Sequence, residues 1–153
     1  ETLGLSMDRG VICSNFIGDA LGMAEKEGFK QILLIGHLGK LIKTAGGAPN
    51  THSKYGDRRM EILKECLGAF PQGKSLDKSR ILNANTTEEA VEILKDWGVL
   101  EPVMKEAVDR MQCFASLWAG GISVEVVTFS TVHGILGASS GAGALIRLFA
   151  ETD

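Results

Sequence analysis

Apolar residues recur at two different spacings along the chain, and the alternation between them lays out a series of elements. From Ser14 or Asn15, either of which suits a helix N-cap, Phe16, Ile17, Ala20, Leu21 and Ala24 fall on one helical face until Gly28 stops the run. QILLIG, Gln31 to Gly36, is instead a short continuous apolar run between a helix stop and a glycine, the pattern of a strand buried on both faces. GHLGKLIKTAGG then predicts a glycine turn and a short helix ending at Gly46 and Gly47. Starting at Gly56 or Asp57, the residues Met60, Leu63, Cys66 and Leu67 line another helical face, which the FPQGKS segment breaks. ILNAN, Ile81 to Asn85, is a brief strand candidate. Thr86 answered by Glu89 makes a capping box for a helix reaching Gly98, and Val103, Met104, Ala107, Val108, Met111, Phe114 and Ala115 mark a longer one. ISVEVVTFS, Ile122 to Ser130, alternates and is rich in β-branched residues, the clearest strand pattern in the chain. The tail GILGASSGAGALIRLFAETD reads as a Gly-rich loop with a closing helix.

Strands separated by helices predict an α/β domain with a parallel or mixed sheet and helices on its faces. Residues 1–12 read as an entering arm or truncated end, 13–136 as the α/β domain, and 137–153 as the tail. At 153 residues the chain buries about two-thirds of the surface its unfolded form exposes. Apolar residues at 44% and charged residues at 23% are near the globular average, which argues against disorder and against a membrane class. A net charge of -3, with no block of Lys and Arg, excludes a phosphate-neutralising nucleic-acid surface. Cys13, Cys66 and Cys113 are odd in number and far apart, so neither a disulfide framework nor a zinc ribbon is expected, and a reducing cytosol fits.

Candidate chemistry concentrates in two stretches. IGHLGK places glycines directly after a strand and before a helix, where open α/β sheets bind ligands beyond the carboxyl ends of their strands. A P-loop would need Gly at Leu34 and Ser or Thr at Leu41, and the dinucleotide spacing differs too, so a nucleotide triphosphatase is rejected. NTHSKYGD, Asn50 to Asp57, gathers polar groups around His52, which Thr51 and Ser53 could hold in one tautomer with the other nitrogen presented outward. Turn and cap chemistry explains the same residues equally well, with Asp57 opening the helix. His37 and His52 lack further ligands at zinc spacing, so no protein-bound metal is expected. GASSG, Gly137 to Gly141, matches a hydrolase elbow, but no histidine follows Ser139.

SNFIGDAL (14–21), ILLIGHLGKLIKTAGG (32–47), NTHSKYGDRRMEIL (50–63) and VEVVTF (124–129) together resemble the C-terminal half of the CbiD family, the cobalt-precorrin-5B C(1)-methyltransferases of anaerobic cobalamin synthesis. The resemblance implies a cytoplasmic enzyme that moves a methyl group from S-adenosylmethionine to a ring carbon of a corrin precursor whose cobalt is carried by the substrate. It implies one domain of a larger two-domain protein, partnered by the family's N-terminal half. In-line methyl transfer rewards alignment of donor and nucleophile above acid–base help. On this basis Gly36, His37, Gly39 and Lys40 are expected to face the methyl donor. Asn50, Thr51, Ser53, Asp57 and Arg58 are expected to face the macrocycle, and His52 to handle a proton or contact the substrate's metal. The alternative expectation is a non-catalytic tetrapyrrole-binding or assembly module of a split methyltransferase.

Overall fold

The computed structural model describes residues 3–151, so the first two residues of the expected arm and the last two of the expected tail lie outside the described residues. After an irregular arm, α1 (Ile17–Lys26) leads through Gly28, at φ 79°, into β1 (Gln31–His37) and directly into α2 (Leu38–Ala45). There follow α3 (Arg59–Leu67), the short α4 (Pro71–Lys74) and α5 (Ser79–Leu82), α6 (Thr87–Asp96) and the 19-residue α7 (Leu100–Trp118). The chain closes with β2 (Ser123–Ser130), β3 (Gly134–Ala138) and α8 (Ala142–Glu151).

The three strands form one mixed sheet in the order β1-β2-β3, with β1 parallel to β2 and β3 antiparallel to it. Pairing runs without a break from Gln31↔Ser123 to His37↔Phe129, so Ile32, Leu34 and Gly36 share a face with Val124, Val126 and Thr128. The main core lies on that face, where α2 and α7 pack against the sheet and against α3. On the opposite face Val127, Ala142 and Leu145 are buried where α8 crosses the sheet. The α/β architecture with helices on both faces is thus as expected. Among the described residues no helix is long and apolar enough to cross a membrane.

Several local expectations are corrected. β1 is not buried on both faces: it is an edge strand, Ile35 is 40% exposed, and Leu34 is its one buried side chain. Residues 81–85 are not a strand, since Ile81 sits in α5 with its side chain wholly buried beside α3 and α6. The expected loop after Gly134 begins with β3, where a Cβ at Gly137 would lie 3.0 Å from Val108 of α7, so glycine admits the helix. Neither Ser14 nor Asn15 caps α1, which starts at Ile17 after Phe16 without a side-chain cap. The capping box of α6 is displaced by one residue. Thr86 Oγ1 accepts the Glu89 N–H, while the Glu89 carboxylate accepts from Asn85 N–H at 2.8 Å.

The junction of β1 and α2 has no intervening loop residue. A Cβ on Gly36 would lie 2.8 Å from Leu41 Cγ, because α2 folds back so sharply that Leu41 fills the space beside the strand. Gly36→Ala will lower unfolding stability by about 1–3 kcal/mol through overpacking, read as a lower denaturation midpoint at unchanged slope.

Candidate functional site

Three separated stretches meet at Thr51, which is only 4% exposed. Its N–H donates to the Asn15 carbonyl at 3.0 Å, its hydroxyl donates to Asn15 Oδ1 at 3.3 Å, and its own carbonyl accepts from Lys43 Nζ at 3.1 Å. Lys43 is 9% exposed and reaches Thr51 from the last turn of α2, so the ammonium has a partner inside the protein. Beside this junction the Gly18 N–H donates to the Pro49 carbonyl at 2.9 Å, and a Cβ at Gly18 would lie 2.5 Å from the proline ring. Unmade hydrogen bonds at buried groups are costly, so this clasp fixes where residues 50–58 leave the core.

From that anchor the chain turns outward. Asn50 Oδ1 accepts the His52 N–H at 3.0 Å, and His52 Nδ1 accepts the Lys54 N–H at 3.1 Å at the start of a short 3₁₀ turn over Ser53–Tyr55. A backbone N–H can only donate, so neutral His52 carries its proton on Nε2. His52, Ser53, Lys54 and Tyr55 are exposed, and Lys54 Nζ lies 4.9 Å from the Tyr55 ring centre. Arg58 leans back along α3 to Glu65 at 3.1 Å.

Asp57 both caps and pairs. Its Oδ1 accepts the Arg59 N–H at 3.3 Å, and its carboxylate takes a bidentate grip on the Arg59 guanidinium with both bonds at 2.7 Å. The Arg59 hydrogen bond holds the Asp57 carboxyl below its ordinary value of 3.8, with a smaller contribution from the Lys43 charge. Asp57 in turn raises Arg59, whose charge also feels Glu88 on α6. Glu88 Oε1 lies 3.2 Å from His37 Nε2. Charges of alternating sign therefore run from Lys43 through Asp57 and Arg59 to Glu88, which meets the His37 ring.

At that far end the expected donor-facing residues form a packed corner. His37 Nδ1 accepts the Gly39 N–H at 3.1 Å, its Nε2 faces Glu88, and its ring meets Phe129 edge-on at 5.8 Å between centres. A Cβ at Gly39 would be 3.2 Å from Thr87 Oγ1 and 3.3 Å from His37 Nδ1. Thr128 Oγ1 donates to the Gly36 carbonyl at 3.1 Å. Lys40 sits half-buried on the first turn of α2. Nothing local to Glu88 in the sequence signals that it meets Arg59 and His37. A hollow of about 210 Å³ beside the Asp57–Arg59 pair is lined also by Met60, Glu61, Leu82, Ala84 and Asn85. A second, of about 290 Å³, lies away from this chemistry, between His133, Lys95, Glu101 and Ile135. The first is smaller than the roughly 300–1,000 Å³ of small-molecule pockets, and the second lies at their lower limit.

Residues 50–140 match the family described as CbiD, C-terminal domain. The chain is 36% identical over 142 residues to the cobalt-precorrin-5B C(1)-methyltransferase of Alkaliphilus metalliredigens, covering 88% of this chain and 36% of that protein. To the Methanocaldococcus jannaschii protein of the same name it is 41% identical over 124 residues, covering 78% of this chain and 33% of that one. The Clostridioides difficile protein, also so named, is 36% identical over 152 residues, covering 97% of this chain and 37% of that protein. The chain thus spans little more than a third of the length of these curated relatives. No solved structure matches it.

Two outcomes are expected of the clasp and its charges. Lys43→Met leaves the Thr51 carbonyl unmatched in the interior and will lower stability by about 1–3 kcal/mol, with faster proteolytic cleavage within residues 52–58. Asp57, with a lowered folded pKa, contributes stability that is present above its unfolded value and lost as pH falls through the folded one. In melting curves from pH 6 to 2, Asp57→Asn will therefore be less stable than the parent at the upper end, with the gap closing below pH 3.8.

Proposed function

The chain belongs to the CbiD family, and from that premise we propose that it is the macrocycle-holding part of a cytoplasmic enzyme that methylates C-1 of cobalt-precorrin-5B, with S-adenosylmethionine as donor. The observation that carries this reading is the outward turn of residues 52–58 from a buried anchor: His52, Ser53, Lys54 and Arg58 are all exposed donors. A corrin precursor rimmed by carboxylates takes such donors, and charge-assisted bonds are the strong ones. Thr51 and Asp57 serve the same loop from behind. The buried Thr51 fixes its root, and Asp57 holds Arg59 and the entry to α3.

His52 acts here as a donor. With Nδ1 occupied by the Lys54 N–H, the outward nitrogen of the neutral ring bears the proton, so it can bond a carboxylate but can neither accept a proton nor ligate a metal without breaking its cap. Its part in the reaction is to hold the macrocycle in register, which suits a displacement whose rate depends on alignment.

The Gly36–Lys40 corner does not by itself fit the methyl donor. Leu41 occupies the space a glycine would leave for a ligand, and the Gly39 N–H and both His37 nitrogens are already engaged. Lys40 and the neighbouring backbone could add only one wall of a donor site, and no step is assigned through it. S-adenosylmethionine, wherever it is held, supplies an electrophilic methyl group.

In a full-length CbiD enzyme, alanine at the positions of His52 and Lys54 will each raise KM for the corrin substrate about tenfold, the worth of one hydrogen bond to a charged group, with kcat little changed. A fall in kcat at unchanged KM would make His52 a proton carrier instead. Unchanged kinetics at both positions would remove the loop from the macrocycle. Retained corrin binding by a full-length protein that never transfers methyl would favour the binding-module reading.

A further inference from the structure

Among the described residues β1 pairs with β2 alone, which leaves its other edge without a partner strand over all seven residues. Alternate residues along such an edge direct their N–H and C=O groups away from the sheet. Proteins guard free edges with charged residues, proline, bulges or very short strands, because an unguarded edge recruits another strand. QILLIGH carries none of the first two, and its register with β2 is unbroken. The strand is thus built as an interior one.

The sheet face next to that edge is also incompletely covered. Leu33 and Ile35 lie on the face of Val127 and Phe129, and Ile135 pairs with Phe129 on the same side. α8 buries Val127, but Ile35 remains 40% and Ile135 51% exposed. His37 stands at the end of this face with its ring on Phe129, so whatever covers the face borders the His37–Glu88 pair. The greater part of a CbiD chain lies outside the segment that this chain matches.

We infer that the open edge of β1, together with Leu33, Ile35, Phe129 and Ile135, seats the remaining segment of the CbiD chain, which adds a strand to β1 and lays apolar side chains over that face. Main-chain bonds give such an addition its strength, and the alternating side chains give it its register. The inference rests on family membership and on the greater length of the relatives, and does not depend on which residues handle the substrate.

Hydrogen exchange read by mass spectrometry on this chain alone and on a full-length CbiD enzyme tests it. Amides of β1 that point away from β2 will exchange at least about tenfold more slowly in the full-length enzyme. Equal rates in the two would overturn the assignment. So would protection in the full-length enzyme that vanishes on dilution to a monomer, since the occupant would then be a second copy. Ile35→Lys will leave the melting of this chain unchanged. The same charge at the aligned position of the full-length enzyme will speed proteolytic cleavage between its two parts, and unchanged cleavage would remove the apolar face from the contact. None of these readouts requires methyl transfer, so a failure of the proposed reaction would be seen separately.

Discussion

The structure turns on the three hydrogen bonds of Thr51. One residue with 4% of its surface exposed spends its amide and hydroxyl on Asn15 and its carbonyl on Lys43, and thereby joins the entering segment, the central helix and the candidate loop. Each of these groups would be costly to leave unpaired in the interior, so the three segments stay together or the protein loses several interactions at once. A lysine is an expensive means to this end, because its ammonium must be desolvated. Its use against a backbone carbonyl, near enough to Asp57 to help hold that carboxyl below its ordinary pKa, places a positive charge just behind a polar loop. The clasp is therefore electrostatic as well as mechanical.

The second constraint is the corner between β1 and α2. With no loop residue to absorb the change of direction, Leu41 comes down onto Gly36, and His37 must satisfy the first free amide of the helix with its own ring. That fixes the imidazole so that its other nitrogen points at Glu88, which brings the first turn of α6 against the carboxyl end of the sheet. In open α/β sheets this is where ligands usually enter. Here the space is taken by side chains of the same chain, and the exposed polar side chains of residues 52–58 stand to one side of it.

Much of the fold could be read from the sequence because the helices are amphipathic. The buried side chains of α7, Val103, Met104, Ala107, Val108, Met111 and Ala115, are the ones its periodicity marks, and Gly28 stops α1 as expected. β3 escaped because its glycines, one of them admitting Val108 of α7, look like loop residues when only neighbours in sequence are considered. The edge position of β1 could not be read either, since an apolar run looks the same whether its outer face is covered by this chain or by another segment. At the site, the cap at Asp57 was local and expected, whereas His52 is held by the Lys54 N–H and not by Thr51 and Ser53. The Asn15–Thr51 contact spans 36 residues and the Lys43, Arg59 and Glu88 chain crosses three helices, so neither leaves a local pattern.

His37 and His52 show how one backbone device yields two different groups. Each precedes a helical turn with nearly the same backbone angles, φ −64° and ψ 138° against φ −65° and ψ 138°, and each accepts an amide two residues ahead through Nδ1. Both rings are thereby committed to the same tautomer when neutral. What separates them is the surroundings of Nε2. At His37 a carboxylate already takes it, with an aromatic ring against its side, so the group ties α6 to the sheet. At His52 the ring is exposed and Nε2 has no partner among the described residues, so the same tautomer becomes an outward donor. A histidine base needs its open nitrogen free of a proton, the reverse of this arrangement. The cap thus favours the proposed role of His52 in recognition, and the contrast with His37 shows that the surroundings of Nε2, not the cap, set the two apart.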